Sequence, residues 1–289
     1  MSGSVLIPVD GSSLAEKVLG PARPLIEALE ADVVLLRVVP TRGTLADVEV
    51  EADEAGAALQ RLQDRLGREG LRCQAKLVRG DPAEQILTFA RALRPDYLAM
   101  ATHGRSGVSR LVRGSTAERV LRHATAPVLL CNPHVLAGPD EPPAGPPFRR
   151  ILVPLDGSDL AAEVLPHVER LARVYGSEVL LLTVEPYEYT LAPTPLVAPP
   201  TDPRALEALV EGPRARLAAA GIPTSVMTAH GVVPVEVLRA AHACDLVAMT
   251  THGRGGASRW WFGSVAEQVL RHCAAPLLVL RVATPHDEA

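Results

Sequence analysis

The stretch that decides the fold is Ala101-Thr102-His103-Gly104, followed by nine residues and then Gly114-Ser115. The same arrangement returns as Thr250-Thr251-His252-Gly253, nine residues and Gly263-Ser264. A helical pattern and an apolar strand pattern follow each copy. Two glycines at a fixed spacing, the second of which opens a helix, indicate a phosphate-binding element that the chain uses twice.

The repeat extends beyond this signature to whole domains. Val5-Leu6-Ile7-Pro8-Val9-Asp10-Gly11-Ser12 recurs as Ile151-Leu152-Val153-Pro154-Leu155-Asp156-Gly157-Ser158. The offset is 146 residues for the aspartates and 149 for the Gly-Ser pairs, so the halves align almost end to end. A period this long predicts two duplicated domains, which fits a length of 289 residues.

Composition excludes several classes of function. A net charge of −4 with 3% aromatic residues argues against a nucleic-acid partner, which needs a basic surface and stacking side chains. The sequence contains no apolar run long enough for a membrane span, and the N-terminus enters a strand pattern at once, which predicts no signal peptide. The four cysteines lack CxxC spacing, which predicts free thiols and a cytoplasmic protein.

Hydrophobic periodicity predicts alternating strands and helices, which are typical of a parallel sheet with right-handed crossovers. In the first half the predicted strands are 4–9, 32–39, 72–79, 96–101 and 127–131, and the predicted helices are 13–29, 51–69, 82–93 and 115–124. In the second half the predicted strands are 150–155, 178–184, 224–229, 245–250 and 276–281.

Two proline-rich segments interrupt this pattern. Residues 132–148 contain six prolines and are predicted to be a linker between domains at 1–131 and 149–283. The second segment, 187–203, is either an ordered cover over the site or a mobile loop.

The ends of three predicted strands indicate where a ligand binds. An open parallel sheet binds ligands outside the carboxyl ends of its strands, where the strand order reverses. The first strand ends at Asp10, the second at Val38-Val39 and the fourth at Met100-Ala101. These ends are therefore expected to converge on one crevice.

The residues after the fourth strand suit a phosphate group. Gly104 permits a positive φ and a close approach of an anion, and Gly114-Ser115 starts a helix whose N–H groups and dipole favour phosphate. Arg105 and Arg110 would add positive charge beside it.

These residues resemble the universal stress protein family, in its tandem form with two UspA-like domains. The nucleotide-binding branch of that family carries G-x2-G-x9-G-[S/T], and this chain matches it at Gly104, Gly114 and Ser115 and at Gly253, Gly263 and Ser264. The family's first glycine is Ala101 in one copy and Thr250 in the other. Compared with glycine, each of these residues adds a Cβ that leaves less room for a ligand to approach, and Thr250 leaves less room than Ala101.

The resemblance implies an α/β fold of two tandem Rossmann-like domains of the adenine nucleotide alpha hydrolase-like type, each an open five-stranded parallel sheet flanked by helices. It implies ATP as the ligand, with Mg²⁺ arriving on the triphosphate, dimer-like packing as a homodimer or between the two domains, and regulatory protein partners. It also implies a role in the stress response with slow or no hydrolysis, and therefore no catalytic residue and no resident metal.

The nucleotide-binding residues that the resemblance implies fall in two sets. The first comprises Pro8, Val9, Asp10, Val38, Met100, Ala101, His103, Gly104, Arg105, Gly114, Ser115 and Thr116. The second comprises Pro154, Leu155, Asp156, Val184, Met249, Thr250, His252, Gly253, Arg254, Gly263, Ser264 and Val265. The aspartates would lie on the adenosine side, Val38 and Val184 would offer backbone groups to the base, and the Gly-Ser segments would hold the phosphates.

Purely structural roles account for some of these residues equally well. Asp10 and Asp156 could cap the following helix rather than contact a ligand. Ser115 with Glu118, and Ser264 with Glu267, have the spacing of a capping box. His103 and His252 lack a second ligand at metal spacing, so turn packing or a phosphate hydrogen bond is the preferred interpretation.

Three functions remain open at this point. The chain lacks three motifs of competing enzyme classes. Absence of GxxxxGK[ST] argues against a P-loop ATPase, absence of GxGxxG after the first strand against a dinucleotide-binding enzyme, and absence of GxSxG against a hydrolase with a nucleophile elbow. The leading hypothesis is an ATP-binding regulatory protein. The alternatives are a UspA-like interaction scaffold that does not bind nucleotide, and a slow ATPase switch. Trp260 and Trp261 replace Leu111 and Val112 in the second copy, so the two sites are expected to differ.

Overall fold

The computed structural model describes residues 3–41, 44–102, 116–136, 147–186, 203–251 and 264–282. The chain divides into two compact units, Met1–Pro142 and Pro143–Ala289, called unit 1 and unit 2 below. No helix in the described ranges is long and apolar enough to cross a membrane.

Unit 1 is a parallel sheet with helices between its strands. Its elements are β1 (Ser4–Val9), α1 (Ser13–Lys17), α2 (Leu19–Ala28), β2 (Asp32–Val39), α3 (Leu45–Arg68), β3 (Cys73–Arg79), α4 (Pro82–Leu93), β4 (Tyr97–Ala101), α5 (Thr116–His123), β5 (Val128–Cys131) and α6 (Pro133–Leu136). The strand order is β3-β2-β1-β4-β5. All four pairs of neighbouring strands are parallel, and the order reverses between β1 and β4.

Unit 2 repeats this arrangement. Its elements are β6 (Arg150–Pro154), α7 (Asp159–Ala162), α8 (Leu165–Tyr175), β7 (Glu178–Pro186), α9 (Pro203–Ala208), α10 (Glu211–Ala219), β8 (Thr224–Gly231), α11 (Val233–Ala241), β9 (Leu246–Thr250), α12 (Ser264–His272) and β10 (Leu277–Leu280). The strand order is β8-β7-β6-β9-β10, again with parallel neighbours. The order reverses between β6 and β9.

The central strands form the core of each unit. Val5, Leu6 and Ile7 are fully buried in β1, as are Ile151 and Leu152 in β6. Helices cover both faces of such a sheet, so its inner strands carry continuous apolar runs instead of alternating ones. The predicted fold class, two tandem Rossmann-like α/β domains, is confirmed.

The predicted helix at 13–29 is wrong in one respect, because it is divided into α1 and α2 at Val18. Pro21 has no N–H to bond the carbonyl of Lys17, and its ring crowds that carbonyl, so the hydrogen-bond ladder breaks one turn before the proline. Val18 keeps helical angles, with φ −60° and ψ −26°, so the chain does not turn there.

The helix predicted at 51–69 begins six residues earlier, at Leu45. Val48 donates its N–H to the carbonyl of Thr44 and packs with Val39, Ala52 and Ala55 in a buried cluster. The spacing of 48, 52 and 55 continues one helical face, and this burial extends the helix toward its N-terminus. In the segment predicted as a linker, residues 133–136 form α6, with Leu136 buried.

Candidate functional site

In each unit, the ladder between the two strands at which the strand order reverses stops before their carboxyl ends, and this break in the ladder is called the gap below. The β1–β4 ladder pairs Val5 with Tyr97 and Leu6 with Leu98, whereas β1 and β2 pair along the whole of Ser4–Val9. Pro8 follows and has no N–H to extend a ladder. The carboxyl ends of β1 and β4 are therefore not joined by this ladder, and the point of reversed strand order is where open parallel sheets bind ligands.

Unit 2 has the same gap. The β6–β9 ladder pairs Ile151 with Leu246 and Leu152 with Val247, and Pro154 again follows. On its other side, β9 stays paired with β10 to its end, since Thr251 donates its N–H to the carbonyl of Leu280 at 3.0 Å. In unit 1, Thr102 makes the matching bond to Cys131 at 3.0 Å.

The predicted adenosine-side aspartate of unit 1 is half-buried at the end of β1. Oδ1 of Asp10 accepts hydrogen bonds from the N–H of Ser12 at 2.9 Å and from its hydroxyl at 2.6 Å. Ser12 is the N-cap of α1, and its Oγ accepts from the N–H of Ala15 at 3.1 Å. Gly11 lies between them at φ +77°, a conformation that glycine adopts without strain.

Unit 2 reproduces this arrangement almost atom for atom. Oδ1 of Asp156 accepts from the N–H of Ser158 at 3.0 Å and from its hydroxyl at 2.6 Å, and the φ of Gly157 is +79°. Ser158 caps α7 through the N–H of Ala161. The aspartate therefore does not cap the helix itself: it fixes the serine that does, and its carboxylate is held at the edge of the gap.

The remaining described residues of the predicted sites lie at the same edge of each sheet. In unit 1, Pro8 and Val9 are in β1, Val38 is in β2, Met100 and Ala101 end β4, and Thr116 is the first residue of α5. In unit 2, Pro154 ends β6 and Leu155 follows it, Val184 is in β7, Met249 and Thr250 end β9, and Ser264 and Val265 open α12. Because parallel strands end at one edge, each set is brought together.

The rest of the predicted phosphate segment lies outside the described residues. This applies to His103, Gly104, Arg105, Gly114 and Ser115, to His252, Gly253, Arg254 and Gly263, and to Trp260 and Trp261. Their assignment stays a prediction. The helices that follow are described, and the glutamate of each predicted capping box binds an arginine one turn later: Glu118 binds Arg122, and Glu267 binds Arg271.

Sequence reasoning missed a cleft beside Asp10 in unit 1. It has a volume of about 420 Å³ and lies between the ends of β1 and β2 and the helices α1 and α3. Its walls are Val9, Gly11, Glu16, Arg37, Glu51, Glu54, Ala55, Ala57, Ala58, Leu59, Arg61 and Leu62. This volume is within the range of small-molecule sites, about 300–1,000 Å³.

Arg37 is the unexpected member of this wall. It is 4% exposed, and its Nη2 lies 4.0 Å from Oε1 of Glu51 on α3. A lone cation inside the apolar run of β2 was visible in the sequence as a signal. The sequence did not show that this arginine lies beside Asp10, because its place depends on the β1–β2 register, which pairs Val9 with Arg37.

The cysteines and acidic side chains offer no further centre among the described residues. No group of three or more His, Cys, Asp or Glu is arranged there to hold a metal ion. All four cysteines are free thiols. Burial raises the pKa of Cys73 and Cys244 to about 11 and that of Cys131 to about 12, so these thiols stay protonated at neutral pH.

Comparison with known proteins identifies the family. The sequence profile described as the universal stress protein family matches residues 1–132 and 147–281. A universal stress protein of Methanocaldococcus jannaschii is 29% identical over 135 residues, which are 44% of this chain and 79% of that protein. One of Mycobacterium tuberculosis is 30% identical over 204 residues, which are 66% of this chain and 60% of that protein.

A solved structure shows the same fold along almost the whole length. The universal stress protein from Archaeoglobus fulgidus superposes with a TM-score of 0.73 at 20% identity, covering 97% of each chain. The family profile accounts for both halves of the sequence and the solved structure for their architecture. This chain therefore belongs to the universal stress protein family.

Proposed function

We propose that each unit binds an adenine nucleotide at the carboxyl edge of its sheet, and that the chain acts as a regulatory protein of the stress response with slow or no hydrolysis. The adenosine would lie beside Asp10 in unit 1 and Asp156 in unit 2. The phosphates would lie on the Gly-Ser segments that precede α5 and α12.

The observation that carries this proposal is the strand gap with an aspartate fixed at its edge, present in both units. The first-strand ladder stops after Leu6 in unit 1 and after Leu152 in unit 2, and each aspartate is held by a serine N–H and hydroxyl. A carboxylate held in one orientation can accept hydrogen bonds from ribose hydroxyls without first losing conformational freedom.

The repeated glycine motif supports the phosphate end of the proposal. Gly104 and Gly114, like Gly253 and Gly263, come between a strand end at the gap and the start of a helix. Backbone N–H groups at such a helix start favour phosphate oxygens. Mg²⁺ would arrive bound to a triphosphate, and the chain would supply few ligands of its own to that ion.

One observation favours the interaction scaffold as a second candidate. Thr250 stands where the family's motif has its first glycine, and it is 6% exposed at the end of β9. Its side chain takes space that a glycine would leave, so unit 2 is the unit in which loss of nucleotide binding would occur first. Ala101 makes the same change in unit 1 with a smaller side chain.

The nucleotide content of gently purified protein tests the proposal, followed by calorimetric titration of the stripped chain with ATP. We expect two ATP per chain, and a loss of both in the double variant Gly114→Val with Gly263→Val. The matched control is Gly67→Val with Gly212→Val, one glycine in a helix of each unit, where a Cβ would meet nothing within 4 Å. Absence of binding by the parent chain at millimolar ATP would leave the scaffold as the function.

The same double variant separates a binding protein from an ATPase switch. A switch requires Mg²⁺-dependent release of phosphate that disappears in the glycine variant and persists in the control. A binding protein retains its ATP through many hours of incubation. Sedimentation of the full chain with and without ATP tests the related proposals of a homodimer and of nucleotide-dependent assembly with regulatory partners.

A further inference from the structure

The cleft of unit 1 adjoins the proposed nucleotide site directly. Val9 and Gly11, the two chain neighbours of Asp10, both form part of its wall. Arg37 is paired with Val9 across the β1–β2 ladder, so both side chains project from the same face of the sheet. Arg37 also precedes Val38, whose backbone is expected to meet the base. A ligand beside Asp10 therefore has a buried guanidinium within reach.

The surroundings of Arg37 suit a group that both donates and accepts hydrogen bonds. Its Nη2 lies 4.0 Å from Oε1 of Glu51, so a cationic donor and an anionic acceptor stand side by side in the wall of the cleft. Glu51 is 37% exposed on its side chain, so its carboxylate remains partly accessible from the cleft that both residues line. Burial of the guanidinium excludes water, which strengthens its hydrogen bonds to a bound group.

The chemistry of the whole cleft selects the kind of group. Its apolar wall includes Val9, Ala55, Leu59 and Leu62, which suits the face of a flat ring. At the edge of that ring, the arginine donates and Glu51 accepts. Three carboxylates against two guanidiniums make the cleft unsuitable for a second phosphate. A nucleobase, with ring nitrogens that accept and an exocyclic amino group that donates, fits this pattern.

Unit 2 lacks this cation. Alignment of the two halves matches Asp32–Val39 with Glu178–Glu185, so Thr183 occupies the position of Arg37. Thr183 is 2% exposed, and a short hydroxyl cannot reach across a cleft as a guanidinium does. Any contribution of Arg37 to binding is therefore confined to unit 1.

We propose that Arg37, together with Glu51 across the cleft, contacts the base of the nucleotide bound in unit 1 and determines base selectivity there. This inference rests on the proposed nucleotide binding and assigns a specificity role to two residues of this chain. Unit 2, with Thr183, binds the same nucleotide with lower base selectivity.

The test uses the full chain carrying Gly263→Val, so that only unit 1 binds. Calorimetry then gives the dissociation constants of ATP, GTP and adenosine for this parent and for Arg37→Thr, Arg37→Lys and Glu51→Gln. The matched control is Arg72→Thr, which removes one arginine of unit 1 whose partner is Asp32, at the amino end of β2. Thermal unfolding of each variant verifies that it is folded.

We expect Arg37→Thr to weaken the binding of ATP and of adenosine by the same factor, about tenfold, because the loss of a hydrogen bond from a charged group has an effect of that size on affinity. The ratio of the ATP and GTP affinities should approach one, Glu51→Gln should shift it in the same direction, and Arg37→Lys should restore part of it. Arg72→Thr should change none of these values.

Three results would overturn the inference. An unchanged ATP affinity in folded Arg37→Thr would show that the residue is structural. Weaker binding of ATP with unchanged binding of adenosine would show that Arg37 acts on the phosphates and not on the base. A base preference unaltered by both Arg37→Thr and Glu51→Gln would remove the specificity role. If neither this parent nor the chain without Gly263→Val binds ATP, the proposed function is rejected, and this inference with it.

Discussion

The two units agree closely at the end of their first strand and differ in the residues around it. The hydrogen bonds that hold the aspartate measure 2.9 and 2.6 Å in unit 1 and 3.0 and 2.6 Å in unit 2. Beside this arrangement, a buried arginine in unit 1 is replaced by a buried threonine in unit 2. The duplicated chain has thus kept the element proposed to hold the sugar and has diverged where a base would lie.

A second difference concerns the helix that follows the third strand of each unit. In unit 1, Asp81 caps α4 by accepting from the N–H of Glu84 at 3.0 Å. In unit 2, Val232 occupies the cap position of α11, makes no side-chain cap bond and is 51% exposed. The preceding glycine is retained, with φ +138° at Gly80 and +155° at Gly231. The backbone of this turn has been kept while its electrostatic stabilisation has been lost from one unit.

The largest effect that tests this comparison comes from equivalent core leucines. Leu6 in β1 and Leu152 in β6 are both fully buried. We expect Leu6→Ala and Leu152→Ala each to lower the free energy of unfolding by about 2–5 kcal/mol, because each leaves a cavity in a central strand. Calorimetric unfolding measures the loss. If the units unfold independently, each variant shifts one transition and leaves the other in place.

The two variants also show whether the units support each other. A single transition that both variants lower together would mean that the units unfold cooperatively, and unit-specific effects on stability would then have to be followed by hydrogen exchange. Ile7→Val, also at a fully buried position, is the matched control with a smaller cavity, and should cost about 0.5–1.5 kcal/mol.

Sequence patterns predicted the central strands well because these are short apolar runs bounded by breakers. The bounds of β1 and α4 were predicted to the residue, since Pro82 after Asp81 marks a helix start. The break at Val18 was missed although Pro21 signalled it, because the apolar periodicity continues through it. The N-terminal extension of α3 depends on the packing of Val48 against Val39, a tertiary contact that periodicity cannot show.

The sequence was enough to predict which strand ends share an edge with Asp10 and Asp156, but not the cleft beside Asp10. Asp10 and Asp156 stand at strand ends that any parallel sheet brings to one edge, so topology alone places them. The role proposed for Arg37 depends on its register against Val9 and on the helix α3 that lines the same cleft, and these are properties of the folded unit.

The next prediction tests the part of the comparison in which the units agree. Ser12→Ala and Ser158→Ala each remove a helix cap and the hydroxyl that the aspartate accepts from. We expect an equal loss of about 1 kcal/mol in the two variants. Thermal unfolding or hydrogen exchange at α1 and α7 measures it. A clearly smaller loss in one unit would mean that the matching geometry hides a difference in energetics.

Exchange of the cap residues tests the part in which the units differ. We expect Val232→Asp to stabilise α11 by about 1 kcal/mol, because it supplies the acceptor that the helix start lacks, and Asp81→Ala to destabilise α4 by a similar amount. Hydrogen exchange of the first turn of each helix measures both effects. Val235→Asp, one turn further along and 46% exposed, is the control: it adds the same charge without occupying the cap position.

The smallest effect concerns a single surface ion pair that unit 2 lacks. Arg119 of α5 lies 2.8 Å from Asp81, and the repeat places Gln268 at the equivalent position of α12. The hydrogen bond from Arg119 is the main reason that the pKa of Asp81 is lowered, followed by the bond from the N–H of Glu84. Both groups are largely exposed, so Arg119→Gln should cost at most about 0.5 kcal/mol near pH 7.

The pH dependence is more informative than this small loss. A carboxylate with a lowered pKa in the folded state contributes stability above its unfolded pKa, about 3.9, and loses that contribution as the pH falls through its folded pKa. Arg119→Gln raises the folded pKa of Asp81 toward the ordinary value, so this contribution to stability should be smaller and should be completely lost at a higher pH than in the parent. NMR titration of the Asp81 carboxyl group measures the shift directly.

The parallel titration of Val232→Asp, whose new carboxylate would face Gln268 rather than an arginine, should resemble Arg119→Gln and not the parent. Agreement would show that the arginine is the main cause of the lowered pKa and that the backbone N–H groups of the helix start contribute less. If Val232→Asp instead titrates like the parent, the helix start alone sets the pKa and the arginine is not its main cause.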